Sequence, residues 1–207
     1  MREKSRKFQF DGHTTVIGLT RSGKTVATRE SLLGFNGGAL FFNTQHEQMP
    51  KEFIRVDGSY SLRQLKQAID KGYKLNFVPD NKLILQRYQL AKIIDSLYDS
   101  KVRNMVLVVD EVHLFNDKSC KESLIQVATT GLRFGIQGAW ISQRPAKIEN
   151  TLMTQSNKFI IFQMNMEFAY LKGHHIPGEE IARLIDQGGK FSYVEFDWRK
   201  LDGPFRV

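Results

Sequence analysis

The stretch Gly18-Leu-Thr-Arg-Ser-Gly-Lys-Thr25, GLTRSGKT, stands between a short apolar run, Thr15–Ile17, and a segment predicted to be a helix. It has the spacing GxxxxGK[ST] of a phosphate-binding P-loop, in which a glycine-rich loop joins a strand to a helix. Glycines let the backbone N–H groups curl around phosphates, and the helix N-terminus adds a favourable dipole. The stretch therefore predicts a nucleoside triphosphate site and leaves the reaction open.

Two residues at the end of this P-loop have specific predicted tasks. Lys24 is expected to reach the β- and γ-phosphate oxygens, and the Thr25 hydroxyl is expected to bind Mg²⁺. The residues of the loop and of the helix start that are predicted to bind the nucleotide are Gly18, Thr20, Arg21, Ser22, Gly23, Lys24, Thr25 and Val26.

Apolar strands alternate with helical patterns along the rest of the chain. Apolar runs predict strands at His13–Ile17, Ala39–Phe42, Lys74–Val78, Met105–Val109, Gly138–Ser142, Phe159–Phe162 and Phe191–Phe196. Helices are predicted from the P-loop to about Leu33, then at Leu62–Ile69 (N-capped by Ser61), Leu83–Leu97, Lys121–Leu132, Ile148–Met153 and Glu179–Ile185. This alternation predicts an α/β fold with a mostly parallel central sheet flanked by helices.

An acidic pair, Asp110-Glu111, directly follows the apolar run Val106–Val109. A carboxylate at the end of a buried strand can face the Mg²⁺ held at a P-loop, which suits Asp110. Glu111 can then orient and polarise a water for attack on the γ-phosphorus. By itself the pattern also fits a strand that ends at the surface. Together with the P-loop it favours an NTP hydrolase over a small-molecule kinase, because a kinase has no need of a water-activating glutamate here.

A third group of residues lies between Gly131 and Pro145. Gln143 ends the strand that follows the acidic pair, so in a parallel sheet its amide is expected beside the γ-phosphate; the alternative is a polar strand end that caps a helix. Arg133 precedes the same strand. It is either a solvated surface charge or, in a ring-shaped ATPase, an arginine finger that enters the neighbouring subunit's site.

Gly18–Thr25, Val106–Glu111 and Arg133–Pro145 together resemble the FtsK/HerA superfamily of DNA-pumping ATPases. The run GAWISQRPAKIENTLMTQSNKFIIF, Gly138–Phe162, is similar to the HerA branch in particular. The resemblance spans about residues 13 to 165. It implies a RecA-like P-loop NTPase fold, ATP hydrolysis with Mg²⁺, a homo-oligomeric ring taken as a hexamer, and double-stranded DNA in the channel of that ring.

The same resemblance implies a role for each site residue. Phosphate and metal binding fall to Lys24 and Thr25, support of the metal to Asp110, water activation to Glu111, γ-phosphate sensing to Gln143 and the finger in trans to Arg133. Arg144 is a second candidate for the finger or for a γ-phosphate contact.

The chain, at 207 residues, is interpreted as one motor domain, 1–207, with a basic N-terminal segment at about 1–10. This short length favours the viral genome-packaging members of the superfamily, such as those of turreted icosahedral viruses of archaea. We therefore expect a double-stranded DNA translocase in the infected host's cytoplasm or at the virion or procapsid, with capsid or portal proteins as candidate partners. The alternatives are a cellular HerA-like translocase and, outside this class, a P-loop kinase or nucleotide-binding regulator without a DNA role.

The composition agrees with a polyanionic partner. A net charge of +8 and a pI near 9.6 favour nucleic acid. The segments Arg2–Lys7 and Asn116–Lys121, the latter with Lys118 and Lys121, are candidate contacts to the DNA backbone. No apolar run is long enough for a membrane span, and a single cysteine forms no internal disulfide.

Two sets of residues have no assigned role. The segment Phe53–Tyr98 matches no motif and is interpreted as a peripheral insertion or a channel-facing element. His46, His113, His174 and His175 lack the spacing of metal ligands and are interpreted as surface or packing residues.

Overall fold

A computed structural model of the chain describes residues 6–99, 102–164 and 168–207, and these form nine strands and seven helices. The strands are β1 Thr14–Ile17, β2 Gly38–Phe42, β3 Phe53–Val56, β4 Lys74–Phe77, β5 Met105–Val109, β6 Ile136–Ser142, β7 Lys158–Phe162, β8 Ser192–Phe196 and β9 Leu201–Arg206. The helices are α1 Lys24–Gly34, α2 Leu62–Asp70, α3 Leu83–Tyr98, α4 Lys118–Thr130, α5 Asn150–Thr154, α6 Phe168–Gly173 and α7 Gly178–Gly188.

All nine strands belong to one sheet with the order β3-β4-β2-β5-β6-β1-β7-β8-β9. Every pairing from β3 to β7 is parallel, and only β8 and β9 run antiparallel to their neighbours. The predicted mostly parallel sheet with flanking helices is therefore confirmed. In this order β6 lies between β1, which leads into the P-loop, and β5, which leads into the acidic pair.

The sheet separates two apolar cores, one on each face. Alternate residues of β5 point to opposite faces, so Leu107 and Val109 join the core beneath α2 to α5 and α7, while Val106 and Val108 join the core beneath α1. This two-sided burial explains why β5 is apolar at every position. Continuing the alternation places Asp110 on the α1 face.

The segment Phe53–Tyr98 is not a peripheral insertion. Its strands β3 and β4 extend the central sheet, and its helices α2 and α3 cover one face of that sheet. Helix α2 begins as predicted, because Ser61 accepts a hydrogen bond from the Gln64 N–H in a capping box.

Three elements were not predicted from the sequence. Strand β3 is short and has two exposed residues, Ile54 and Arg55, and β9 contains Gly203 and Pro204, which edge strands tolerate. The third is the short helix α6. Helix α4 also begins at Lys118 rather than Lys121 and ends at Thr130, so most of the predicted loop 116–121 is helical.

The basic N-terminal segment is described only from Arg6 onward, so Arg2–Ser5 lie outside the described residues. Arg6 lies 3.9 Å from the Glu195 carboxylate, and Lys7 forms an ion pair of 3.0 Å with Glu30. These two cations of the predicted DNA-contact segment are therefore already near acids of the same chain. In the described part of the chain, no helix is long and apolar enough to cross a membrane.

Candidate nucleotide site

The carboxyl ends of β1, β5 and β6 open into one cavity of about 340 Å³. Parallel strands end at the same edge of a sheet, so residues distant in sequence meet there. The residues that line the cavity are Thr20, Arg21, Gly23, Lys24, Thr25, Val26, Gln45, Glu47, Asp110, Glu111 and Gln143. The structure thus brings together most of the predicted site residues; Gly18, Ser22 and Arg133 of the predicted set do not line it.

The P-loop conformation depends on its glycines. Gly23 caps α1 with a left-handed φ of 106° and has no side chain to bond the first N–H groups of the helix, which leaves them available to an anion. A Cβ on Gly18 would lie 2.5 Å from the Phe162 Cβ. Other residues at these two positions would therefore distort the loop.

Lys24 is a buried cation among acids. It is 6% exposed, and its Nζ donates a hydrogen bond of 2.6 Å to the Leu19 carbonyl. Burial lowers the pKa of Lys24, whereas the nearby carboxylates of Glu111, Asp110 and Glu47 raise it. Phosphate oxygens bound in the cavity would therefore offset the cost of burying this ammonium group.

Asp110 lies directly after β5 and is 3% exposed. Burial raises its pKa to about 7, with further increases from the charges of Glu111 and Glu47; the Glu111 N–H bond to Oδ1 and the Lys24 charge lower it. A cation beside this carboxylate would offset the cost of its burial. Thr25 lines the same cavity, and its hydroxyl with the Asp110 carboxylate is a set of hard oxygen donors that fits Mg²⁺.

Glu111 and Gln143 are joined to the P-loop by hydrogen bonds. The Gln143 Nε2 donates to the Glu111 Oε1, and the Thr20 hydroxyl donates to the Gln143 Oε1. This chain of contacts exists because β6 lies between β1 and β5. Glu111 itself has a left-handed φ of 50°, an uncommon conformation for a residue with a side chain.

The structure also brings three residues to the site that were not predicted. Gln45 and Glu47 reach the cavity on the loop after β2, at the same sheet edge. His113, interpreted from the sequence as a surface or packing residue, lies with its Nδ1 3.3 Å from the Glu111 Oε2. The sequence signal that could have found the loop is Asn43, a polar residue directly after an apolar strand. Nothing in the sequence marks His113 except its position two residues after Glu111.

The two candidate arginine fingers lie at opposite ends of strand β6. Arg133 is exposed in a 3₁₀ turn, Gly131–Phe134, before β6 begins, whereas Arg144 follows Gln143 at the edge of the cavity. The seven residues of β6 span roughly 23 Å. Arg133 is therefore remote from the cavity of its own chain, and Arg144 is exposed nearby without lining it.

Comparisons with known proteins identify the fold. No protein-family model and no curated protein matches the chain in sequence. In structure, it is similar to the genome packaging NTPase B204 of Sulfolobus turreted icosahedral virus 2, solved with AMP: the TM-score is 0.68 at 15% identity, over 95% of this chain and 98% of that chain. B204 of Sulfolobus turreted icosahedral virus, a DNA-packaging ATPase, gives 0.64 at 13% identity over 95% and 98%.

A second kind of structure is also similar. EccC of Thermomonospora curvata (ATPases 2 and 3), solved with a signal sequence peptide, gives a TM-score of 0.58 at 14% identity, over 94% of this chain and 38% of that chain. These matches confirm the predicted P-loop NTPase fold.

Proposed function

We propose that the protein is an Mg²⁺-dependent ATPase that assembles into a ring, taken as a hexamer, and moves double-stranded DNA, as a motor that packages a viral genome. The observation that carries the ATPase proposal is one cavity that combines a P-loop lysine with an acidic pair joined to the loop through Gln143. The packaging role is supported by the B204 structures, which match over nearly the whole of both chains, whereas EccC is matched over 38% of its length.

The residues of the cavity divide the work of hydrolysis. The N–H groups of the P-loop and Lys24 hold the β- and γ-phosphates and balance their charge. Thr25 and Asp110 would hold Mg²⁺, which supplies further charge neutralisation on the phosphates. Glu111 accepts the proton of the attacking water, and Gln143 fixes the position of that carboxylate relative to the P-loop.

In the proposed ring, a neighbouring subunit supplies a further positive charge to the site. Arg133 is exposed and lies at the amino end of β6, away from the cavity, so it suits a contact with a neighbouring subunit rather than with its own site. A guanidinium that enters the neighbour's cavity would stabilise the charge that develops on the γ-phosphate. Arg144 remains the second candidate.

The DNA contact is proposed at the start of α4. Lys118 is exposed, and no ion pair involves it among the described residues, whereas Lys121 is held 2.6 Å from Glu149. We therefore place the contact on Lys118 rather than on both lysines. Its partner would be the phosphate backbone, since a motor that moves any genome must not depend on base sequence.

The experiment is an ATPase assay with and without double-stranded DNA of unrelated sequences, over a range of salt. We expect similar stimulation by each DNA, an apparent affinity that falls steeply with salt, and a salt slope smaller by roughly one unit in Lys118→Ala. Lys71→Ala is the matched control and keeps the full slope, because Lys71 is exposed, has no ion pair among the described residues and lies before β4, at the opposite ends of the strands. ATPase activity indifferent to DNA at every salt concentration would refute the motor and favour a nucleotide-dependent regulator.

A further inference from the structure

His113 lies between Glu111 and the end of β6. Its Nδ1 is 3.0 Å from the Ser142 hydroxyl and 3.3 Å from the Glu111 Oε2, and its side chain is 11% exposed. The backbone that carries the ring is held in place, because the 3₁₀ turn Val112–Phe115 buries Val112 and Phe115 in the core. The histidine therefore approaches the proposed catalytic carboxylate from a rigid support.

The two oxygens of Glu111 have different surroundings. Oε1 accepts the hydrogen bond from Gln143, while Oε2 is buried and has no hydrogen-bond partner among the described residues. A buried carboxylate oxygen without a donor is costly and is uncommon in native proteins. The His113 Nδ1 is the nitrogen that the structure places beside this oxygen.

The hydrogen bonds around Ser142 favour one form of the His113 ring. The Ser142 hydroxyl accepts from the Arg144 N–H at 2.9 Å and can either donate to the His113 Nδ1 or accept from it. The first arrangement turns a nitrogen lone pair toward the Glu111 Oε2, which is repulsive. In the second, the Nδ1–H donates to the hydroxyl and also brings a positive hydrogen to the side of Oε2, 3.3 Å from the nitrogen.

The charge on His113 follows from the same surroundings. Burial lowers the pKa of His113, the Glu111 carboxylate raises it, and the cations Arg144 and Lys147 lower it again. The ring is therefore neutral at neutral pH, with its one hydrogen on Nδ1. A neutral donor orients Glu111 without forming a full ion pair with it.

We infer that His113 is a positioning residue for Glu111: its Nδ1–H, 3.3 Å from Oε2, attracts that side of the carboxylate while the hydrogen bond from Gln143 holds Oε1. The inference rests on the proposed function, in which Glu111 activates the attacking water. His113 acts through Glu111 and does not contact the nucleotide site directly, since it does not line the cavity.

The test compares kcat and the ATP dissociation constant across three substitutions of His113. Asparagine places an amide at the same distance from the backbone as Nδ1, whereas glutamine places it one bond further out. We expect His113→Ala and His113→Gln to lower kcat by about 10- to 100-fold, a typical loss for a partner that orients a catalytic ligand, with ATP affinity within about twofold of wild type. His113→Asn should recover most of the activity. The exposed His175, changed to Asn, is the control.

Several results would overturn the inference. Wild-type kcat in His113→Ala would do so, as would an equal loss in His113→Ala and His113→Asn, because a packing role does not distinguish the variants by the position of a donor. In the Glu111→Gln background, His113→Ala should cause no further loss; additive losses would show that it does not act through Glu111. Failure of the proposed function looks different, since Glu111→Gln itself would then keep its turnover.

Discussion

Two buried polar clusters lie at the same edge of the sheet, and they are built in opposite ways. The amide cluster joins Asn43, which is fully buried, to Asn76 and to the backbone of Glu47. Asn43 Nδ2 donates to the Asn76 Oδ1 at 3.0 Å and to the Glu47 carbonyl at 2.8 Å, and Asn43 Oδ1 accepts from the Glu47 N–H at 3.0 Å. Among the described residues, no buried atom of these two amides lacks a partner.

The acidic cluster, formed by Lys24, Asp110, Glu111 and Gln143, does not satisfy all of its own charges and hydrogen bonds. Burial raises the pKa of Asp110 to about 7, one oxygen of Glu111 has no hydrogen-bond partner among the described residues, and Glu111 has a left-handed backbone. A cluster that satisfies itself stabilises a loop, whereas one that remains unsatisfied costs stability and is suited to binding and catalysis. The contrast separates the cluster that shapes the site from the cluster to which we assign the reaction.

Among the variants that compare the two clusters, the largest expected effect comes from Arg133, which in the proposed ring adds its charge to the acidic cluster of a neighbouring subunit. Arg133→Ala should retain ATP binding and lose roughly 10³-fold or more in turnover, since a finger in trans acts only on the transition state. Mixing it with Lys24→Ala subunits should restore part of the activity, because an intact P-loop can then face an intact Arg133. Arg144→Ala is the comparison variant. No recovery in subunits shown to co-assemble would point to Arg144 or to a finger in cis.

The second-largest loss of turnover is expected when Gln143, which bridges Glu111 and Thr20, is removed. Gln143→Ala removes the link between Glu111 and Thr20, so turnover at saturating ATP should fall by about 10²-fold, as for loss of one preorganised donor. The melting temperature should hardly change, because the side chain is only half-buried. Gln155→Ala, at an exposed helix end, controls for the loss of an amide elsewhere. A variant that melted early with normal turnover would place Gln143 among the structural residues.

The amide cluster should show the reverse behaviour. Asn43→Ala leaves the Glu47 N–H and the Asn76 amide without their partner, so the free energy of unfolding should fall by about 1–3 kcal/mol in a denaturant titration. Turnover at saturating ATP should change by less than about tenfold, since Asn43 contacts no reacting group. Exposed Asn81, changed to Ala, should alter neither quantity. A large loss of turnover with unchanged stability in Asn43→Ala would erase the distinction between the clusters.

The sequence was most informative where function depends on local spacing. The P-loop predicts Lys24 and Thr25 because their positions are set by a loop of eight residues, and the continuous apolar run before Asp110 predicts a carboxylate at the end of a buried strand. The order of the strands is not local, so the bridge from Thr20 through Gln143 to Glu111 became visible only when β6 was found between β1 and β5.

Other features left no pattern to find. Strand β3 has exposed residues and β9 contains Gly203 and Pro204, which weaken a strand pattern. Both segments join the sheet because a neighbouring strand offers its hydrogen bonds. His113 follows Glu111 within a 3₁₀ turn, and only the return of β6 brings Ser142 to the other side of its ring. Glu47 reaches the cavity because the buried Asn43 folds its loop inward.

The most direct test measures ATP binding and ATP hydrolysis side by side in the wild type, Lys24→Ala and Glu111→Gln. In the proposed mechanism Lys24 balances phosphate charge in the bound ground state, so its loss should abolish productive binding, whereas Glu111 acts only on the attacking water. Glu111→Gln should therefore bind ATP as tightly as the wild type and hydrolyse it roughly 10²- to 10⁴-fold more slowly. Wild-type turnover in Glu111→Gln would contradict the assignment of the acidic cluster as the catalytic one.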